Sequence, residues 1–403
     1  MPEADAAASP ALAAALAALT PWPEDGSRAD GPVAVDATDR LLLDEAAALL
    51  AGAGPQDVAV IGDRFGALSL GALALGAGRV RLHTDAVTAE RAVLANQAAS
   101  PAPDAVGGLR VLDHLGPALA QGARVVLLQL PRSLSELQEV AELVAREGAD
   151  GVTLLAGGRV KHMTHAMNDV LGACFAHVRA TLARGKSRVL VASGPLPQAR
   201  SAPPSYPVTA RLRDAELLAA ARLPADGAVT VVAHGGVFAG ATLDLGTRAL
   251  LRTAGQWPAA ADAVDLGCGT GLLAAVLALR DGGARVVATD RSAAATTSAH
   301  ATAQANGVGE RVAVLRDDAG AGLADASADL VVCNPPFHDR AALSTDAAHR
   351  MFATAARVLR PGGELWCVYN SALRHRGALE RTIGPTTQAA RDPRFTVTRT
   401  VRR

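Results

Sequence analysis

Asp265-Leu266-Gly267-Cys268-Gly269-Thr270-Gly271 closes an apolar run and opens an Ala/Leu-rich one. Glycines lack the Cβ that keeps a ligand off the backbone, and they permit a tight strand-to-helix turn. The spacing is GxGxG, whereas a dinucleotide fingerprint needs GxGxxG with pyrophosphate at the helix N-terminus. Asp290 stands 23 residues after Gly267 at the end of the next β-branched run, RVVATD. A carboxylate there accepts hydrogen bonds from both hydroxyls of a ribose. Asp318 follows a third run and can receive an exocyclic adenine amine. Each has a plainer reading alone: a turn for the glycines, a helix N-cap for Asp290, a turn aspartate for Asp318. In combination they describe an adenosine-shaped ligand lying across one edge of a sheet.

Asn334-Pro335-Pro336-Phe337 follows the apolar run ADLVVC. Proline cannot donate a hydrogen bond, so the segment presents carbonyl acceptors in a stiff geometry. The Asn334 side-chain oxygen and the Pro335 carbonyl together match the two N–H donors of an amino group. Phe337 suits stacking on the planar ring that bears the amine. An arylamine nitrogen is a poor nucleophile because its lone pair is delocalised. Holding both N–H bonds out of plane localises that pair toward an incoming methyl group. A sulfonium methyl is already activated, so no strong base is required. A Pro-rich turn with no chemistry is the alternative, and the glycine loop and Asp290 weigh against it.

These residues need a scaffold that brings strand ends together. In the second half, β-branched runs predict strands over 262–266, 285–290, 312–316, 328–333 and 364–369, with helices such as 271–280 and 292–305 between them. Alternating β and α predicts a doubly wound, mostly parallel sheet. Shifting the chain by 205 residues repeats the landmarks. Gly267 falls on Gly62, Gly271 on Gly66, Asp290 on Asp85, Asp318 on Asp113 and Pro336 on Pro131. Two copies of one α/β fold follow. The copies are unequal: Asp265 is answered by Val60, Gly269 by Arg64, Asn334 by Gln129, Pro335 by Leu130 and Phe337 by Arg132. The chemistry is therefore expected after residue 230. The expected division is an Ala-rich extension over 1–30, a degenerate domain over 31–200, a linking segment over 201–230 that includes part of the Pro-rich GPLPQARSAPPSYP, and a catalytic domain over 231–403.

The 403 residues are half hydrophobic and 19% charged, which excludes wholesale disorder. Basic and acidic residues balance at 39 each, and only Lys161 and Lys186 are lysines, a bias that reads as GC-rich coding. The charge is segregated. Residues 1–57 hold ten acids against two bases, residues 157–213 nine bases against Asp169, and residues 374–403 eight arginines against Glu380 and Asp392. Such blocks suit a polyanion, although solvated surface is the commoner explanation. Cys174, Cys268, Cys333 and Cys367 form no CxxC pair, which fits a reducing cytosol and no zinc ribbon. Cys268 and Cys333 read as small residues beside the ligand edge. His162 and His165 lack a third ligand, so no metal is expected. His338 follows Phe337 as a candidate proton shuttle, a structural hydrogen bond being the equal alternative. The N-terminus lacks a basic n-region, and no stretch reaches about 18 apolar residues, so a cytoplasmic protein without a membrane span is expected.

DLGCGTG, Asp290 and NPPFH resemble the class I S-adenosylmethionine-dependent methyltransferases that modify planar amino groups. GGVFAGATLDLGTRALL, NPPFHDRAALSTDAAHRMF and LRPGGELWCVYNSALRHRGALERTIG resemble the bacterial rRNA guanine-N2 methyltransferases of tandem-domain type, one domain degenerate and one active. LPRSLSELQE and LLAGGRVKHMTHAMNDVLG resemble the large-subunit (23S) enzymes more than their small-subunit (16S) relatives. The resemblance implies two Rossmann-like domains, S-adenosylmethionine as cofactor and ribosomal RNA or a ribosomal subunit precursor as partner. It implies that Asp265, Gly267, Gly269 and Gly271 border the methionine part, Asp290 the ribose and Asp318 the adenine. Asn334, Pro335 and Phe337 would grip the guanine. The family position matched by Asp318 is often Asn. Two joined copies already supply what a homodimer would, so a monomer is expected. The rival readings are methylation of a 16S rRNA guanine, a DNA adenine or a protein glutamine, and a non-catalytic ribosome-assembly factor that binds RNA. A nicotinamide dehydrogenase is the weakest rival, lacking GxGxxG.

Overall fold

The structure is a computed structural model. It describes residues 9–21, 33–51, 54, 57–101, 107–335 and 341–403, with backbone alone over 341–346. The chain divides into two compact units, Met1–Ser205 and Tyr206–Arg403.

The first unit holds strands β1 (Val58–Ile61), β2 (Val80–His83), β3 (Leu109–Val111), β4 (Val125–Gln129), β5 (Thr153–Arg159), β6 (Phe175–Ala180) and β7 (Ser187–Pro195). The second holds a β8 (Val208–Leu212)/β9 (Val229–Ala233) pair and the strands β10 (Asp262–Leu266), β11 (Arg285–Asp290), β12 (Val312–Arg316), β13 (Ala328–Cys333), β14 (Leu359–Asn370), β15 (Thr386–Arg391) and β16 (Phe395–Val401). The two seven-stranded sheets have the same order, β3-β2-β1-β4-β5-β7-β6 and β12-β11-β10-β13-β14-β16-β15. In each, the first five strands in chain order run parallel, and the last two close the sheet as an antiparallel hairpin. The doubly wound expectation and the repeat are both realised in this matched order.

Both faces of each sheet are covered, which explains the unbroken apolar runs. Neighbours Val331 and Val332 point into opposite cores, one with Phe352 and Leu365, the other with Trp257, Leu273 and Trp366. The helix Leu272–Arg280 is apolar nearly throughout and buries Leu272 to Ala278. It packs on β10 and β11 between the helices Ala215–Ala220 and Ala293–Ala305, covered as an all-round apolar helix must be.

Three expectations need correction. The segment 201–230 is more than a linker: β8 and the helix Ala215–Ala220 belong to the second unit, and β8 pairs with β9. Leu217 and Leu218 bury there, which a Pro-based reading of the segment overlooks. Residues set apart as an Ala-rich extension also fold in part, since the helix Pro10–Ala17 buries Leu12 and Leu16 in the first unit's core. The repeat offset, finally, is not uniform. Gly62 N–H donates to His83 O where Gly267 N–H donates to Thr289 O, so Thr84, not Asp85, stands level with Asp290. Likewise Val111 takes the place of Val314, which sets Asp113 level with Arg316 rather than Asp318. Connections absorb such length changes at small entropic cost, whereas strands in register cannot.

Candidate active site

The register of three strands assembles the site. Leu266 is level with Thr289 on one side and Cys333 on the other. The next residue of each strand, Gly267, Asp290 and Asn334, therefore stands at the carboxyl edge beside its neighbours. This is the edge where open α/β sheets bind ligands. A Cβ on Gly271 (φ +74°) would lie 2.7 Å from Ala299, so glycine here lets two helices close. A Cβ on Gly269 (φ +51°) would meet nothing within 4 Å. The Gly269 N–H donates to Asp290 Oδ2 at 3.0 Å. Asp290 Oδ1 accepts from Ser292 N–H at 3.0 Å, opening the helix Ala293–Ala305.

Asp265 is fully buried on the central strand. Its Oδ2 accepts the Ala274 N–H at 2.9 Å, and its Oδ1 has no partner. Burial pushes the carboxyl up to about 7; the Asp290 charge acts the same way and the Ala274 bond opposes it. Among the described residues of the second unit, the buried side-chain polar atoms without a partner are Asp265 Oδ1, Thr289 Oγ1 and Asn334 Oδ1. They sit at or next to the ends of three adjacent strands. Asp265 and Asn334 face the same side of the sheet and Thr289 the other. Native interiors satisfy nearly all such atoms, so the Asp265 and Asn334 oxygens mark a place built for something else to complete.

Asn334 is held from one end. Its Nδ2 donates to Thr247 Oγ1 at 3.1 Å and to Asp244 Oδ1 at 3.3 Å. Asp244 caps the helix Leu245–Leu251, accepting Gly246 N–H at 2.8 Å and Thr247 N–H at 3.1 Å. A flipped amide would set its oxygen against the Asp244 carboxylate, two acceptors face to face, so these contacts fix which end is free. Gly246 lets the helix start approach: its Cβ would lie 3.0 Å from Asn334 Oδ1. Pro335 is buried. Phe337, with Pro336 and His338, lies outside the described residues.

Asp318 is near the site but engaged. Its N–H donates to Asp317 Oδ1 at 2.8 Å, and its carboxylate is ion-paired with Arg350. Asp317 N–H in turn donates to Asp290 O at 2.8 Å, tying the β12 end to the β11 end. Arg350 comes from the helix Ala341–Val358, which also brings the Met351 methyl to 2.8 Å from a Cβ built on Gly267. Sequence reasoning missed Asp244, Thr247, Thr289, Arg350 and Met351. Asp244 carried one usable signal, an Asp opening the apolar run LGTRALL as helix caps do. The others became relevant only through packing.

All four cysteines are free and buried. Burial, with the charges of Asp290 and Asp265, pushes the Cys268 thiol well up; Cys333 is pushed up chiefly by its hydrogen bond with Cys367. Both therefore stay as neutral thiols rather than nucleophilic thiolates. His162 and His165 are exposed, and no group of three or more metal-ligating side chains occurs among the described residues.

The first unit shows the same place filled in. Arg64, in the Gly269 position, pairs with Asp36 at 2.9 Å. Gln129, in the Asn334 position, donates its amide to Asp39. Asp39 is pushed up to about 7, mainly by burial. The turn thus carries an arginine that lacks the positive φ of Gly269 and whose guanidinium is tied to the first unit's own Asp36.

Comparison with known proteins follows this division. Residues 13–195 match the family model of the RLMG N-terminal domain, and residues 228–399 that of the Methyltransferase small domain. The chain is 34% identical to the Ribosomal RNA large subunit methyltransferase G of Streptomyces coelicolor, over 95% of this chain and 97% of that one. The chain belongs to the ribosomal RNA large subunit methyltransferase G family. A Pseudomonas aeruginosa member is 37% identical over 68% of this chain and 69% of its own. As the resemblance implied, this family member is a methyltransferase, and its relatives carry the large-subunit name. Among solved structures, the T. thermophilus 16S rRNA N2 methyltransferase RsmC, in complex with AdoMet and guanosine, has the same tandem fold. It matches with a TM-score of 0.71 at 23% identity, over 96% of this chain and 98% of that one. Among the described residues, no helix is long and apolar enough to cross a membrane.

Proposed function

We propose that the second unit transfers a methyl group from S-adenosylmethionine to the exocyclic N2 of a guanine in large-subunit (23S) ribosomal RNA. One observation carries the reading. Asn334 Oδ1 is buried and unpartnered at the strand end, in an amide whose nitrogen is anchored by Asp244 and Thr247. An unsatisfied buried acceptor costs about 1–3 kcal/mol, which an incoming N–H would offset. Pro335 has no N–H of its own, so its carbonyl is the second acceptor for a two-hydrogen amine. Between them they hold an exocyclic amine with its lone pair turned toward the glycine loop.

The residues fit the cofactor. Gly269 leaves open space at the turn, Asp290 at the next strand end is proposed to take the ribose hydroxyls, and Asp265 Oδ1 is buried without a partner. When bound, S-adenosylmethionine supplies a methyl group already activated toward a nitrogen lone pair. The chain itself then has only to orient the amine and exclude water until the N–C bond has formed, after which the surplus N–H proton passes to solvent. Phe337 is proposed to stack on the guanine, and Asp318 to receive the adenine amine on the carboxylate face away from Arg350. The target base must leave its stack to reach Asn334. RsmC, solved with AdoMet and guanosine, and the relatives' large-subunit name support this assignment.

The first unit is proposed to hold RNA through phosphates. Arg159 ends β5, and Lys161, Arg179, Arg184 and Lys186 are exposed with it at the carboxyl edge of that sheet. We take the enzyme to act as a cytoplasmic monomer. The test offers labelled S-adenosylmethionine with 23S rRNA, 16S rRNA, DNA and protein separately, followed by mass mapping of the product nucleoside. N2-methylguanine in 23S rRNA is expected. Asn334→Ala should lower kcat by about 100-fold or more while RNA binding stays nearly unchanged. Label on a different acceptor, or unaltered turnover by the variant, would overturn the assignment.

A further inference from the structure

We infer that the β15–β16 hairpin tip and the turn after β14 form a phosphate-binding rim on the catalytic unit itself, made by Arg374, Arg391 and Arg394. This rests on RNA being the substrate. The topology sets these residues at the same edge as Asn334. Cys333 of β13 is level with Cys367 of the parallel β14, which leaves the sheet at Asn370 opposite Phe395 of β16. Arg391 ends β15 opposite Thr396. With neighbouring strands about 4.8 Å apart, the order β13-β14-β16-β15 puts the hairpin tip roughly 10–14 Å along the edge from Asn334. That distance suits contacts to the backbone flanking an extruded base.

The charges at this tip are available. Arg374, Arg391 and Arg394 are exposed, and no ion pair holds any of them among the described residues. The remaining arginines of the basic C-terminal block include several with structural work. Arg376 pairs with Glu380 at 3.0 Å, Arg399 reaches Glu364 at 2.5 Å, and Arg402 donates to Arg357 O at 3.4 Å. Asp392, the acid within the tip, accepts Arg394 N–H and Phe395 N–H at 2.7 Å each. Those bonds, with the nearby charges of Arg252 and Arg394, hold it below the usual carboxylate range, so it offsets part of the Arg394 charge. The first unit also carries cations at its β6–β7 tip, Arg184 and Lys186, with Arg179 at the strand end, although Arg184 is ion-paired with Asp44 at 3.3 Å and Glu45 at 3.5 Å. That unit has Arg64 and Gln129 where the second has Gly269 and Asn334. The feature common to both hairpins is thus positive charge at the edge, independent of the cofactor turn.

The test uses the full chain with the combined Arg374→Ala, Arg391→Ala and Arg394→Ala substitutions, their Lys counterparts, and Arg285→Ala at the opposite edge as control. Binding of a 23S rRNA fragment is titrated between 50 and 200 mM salt, alongside RNA KM, kcat and the cofactor Kd. Three lost phosphate contacts should flatten the slope of log K against log salt by about 2. The wild-type advantage should then shrink roughly 16-fold across that fourfold salt range. RNA KM should rise, the cofactor Kd should not move, and the Lys variant should retain the slope. A triple variant indistinguishable from Arg285→Ala in slope and KM would overturn the rim while leaving RNA methylation intact. Failure of the wild type to label any RNA would overturn both.

Discussion

Replacing Asp265 by Asn should stabilise the ligand-free second unit, and by more at pH 8 than at pH 5. The carboxyl is fully buried and is pushed from 3.8 up to about 7, chiefly by desolvation. Between those values the folded unit holds a proton that the unfolded chain has released. Stability contributed by this group therefore falls as pH rises from about 4 to about 7 and is constant above. Each pH unit in that window corresponds to about 1.4 kcal/mol, so two units from pH 5 to pH 7 give about 3 kcal/mol. Asn retains an oxygen for the Ala274 N–H and carries no charge to desolvate. The assay is urea unfolding at pH 5 and pH 8 in a Trp22→Phe background, where Trp257 and Trp366 in the core of the second unit report. Asp39 and Glu136 of the first unit, also pushed up to about 7 by burial, cancel in the difference between variant and parent. A variant-minus-parent difference that does not change with pH would refute the reasoning. The same substitution should weaken S-adenosylmethionine binding roughly 10- to 100-fold, because a charge costly in the empty pocket is the one a bound partner offsets.

Two further outcomes separate binding from folding. Gly269→Val should lose about 1–3 kcal/mol, the strain of a β-branched residue at φ +51°, and no more than Gly269→Ala plus about 1 kcal/mol, since its side chain enters open space. It should nonetheless abolish cofactor binding by calorimetry. Gly271→Val should instead lose several kcal/mol of stability in thermal unfolding, because its side chain meets Ala299 at 2.7 Å. Arg350→Ala should weaken cofactor binding several-fold by releasing Asp318, and adding Asp318→Asn should restore part of it. Equal cofactor affinity in Arg350→Ala and parent would remove the positioning role of that arginine.

Much of the architecture was open to reading in the amino-acid order. The predicted strands 262–266, 285–290, 312–316 and 328–333 match β10 to β13, and the helices 271–280 and 292–305 match to within a residue. Strands buried on both faces must be apolar throughout, and glycine turns must end them, so both leave local marks. β14 takes in Leu359, level with Ala328, but Arg360-Pro361-Gly362-Gly363 then bulges out of the ladder with Gly362 at φ +80°, and pairing with β13 resumes at Glu364, the expected start. Only the pairing of Leu359 with Ala328 ahead of that bulge went unread, since it depends on a register that local propensity does not encode.

The sequence by itself determined the duplicated α/β plan, the unequal copies and the strand-end positions of Asp265, Gly267, Gly269, Gly271, Asp290 and Asn334, because each depends on neighbours within a few residues. Only the tertiary structure decided that Asn334 is anchored by Asp244, 90 residues away, that Arg350 engages Asp318, and that Asp265 Oδ1 and Asn334 Oδ1 are buried without a partner at neighbouring strand ends. Those facts arise from register and packing between distant segments. No local pattern carries them, since a hydrogen bond formed or left unmade depends on what the folded chain brings opposite.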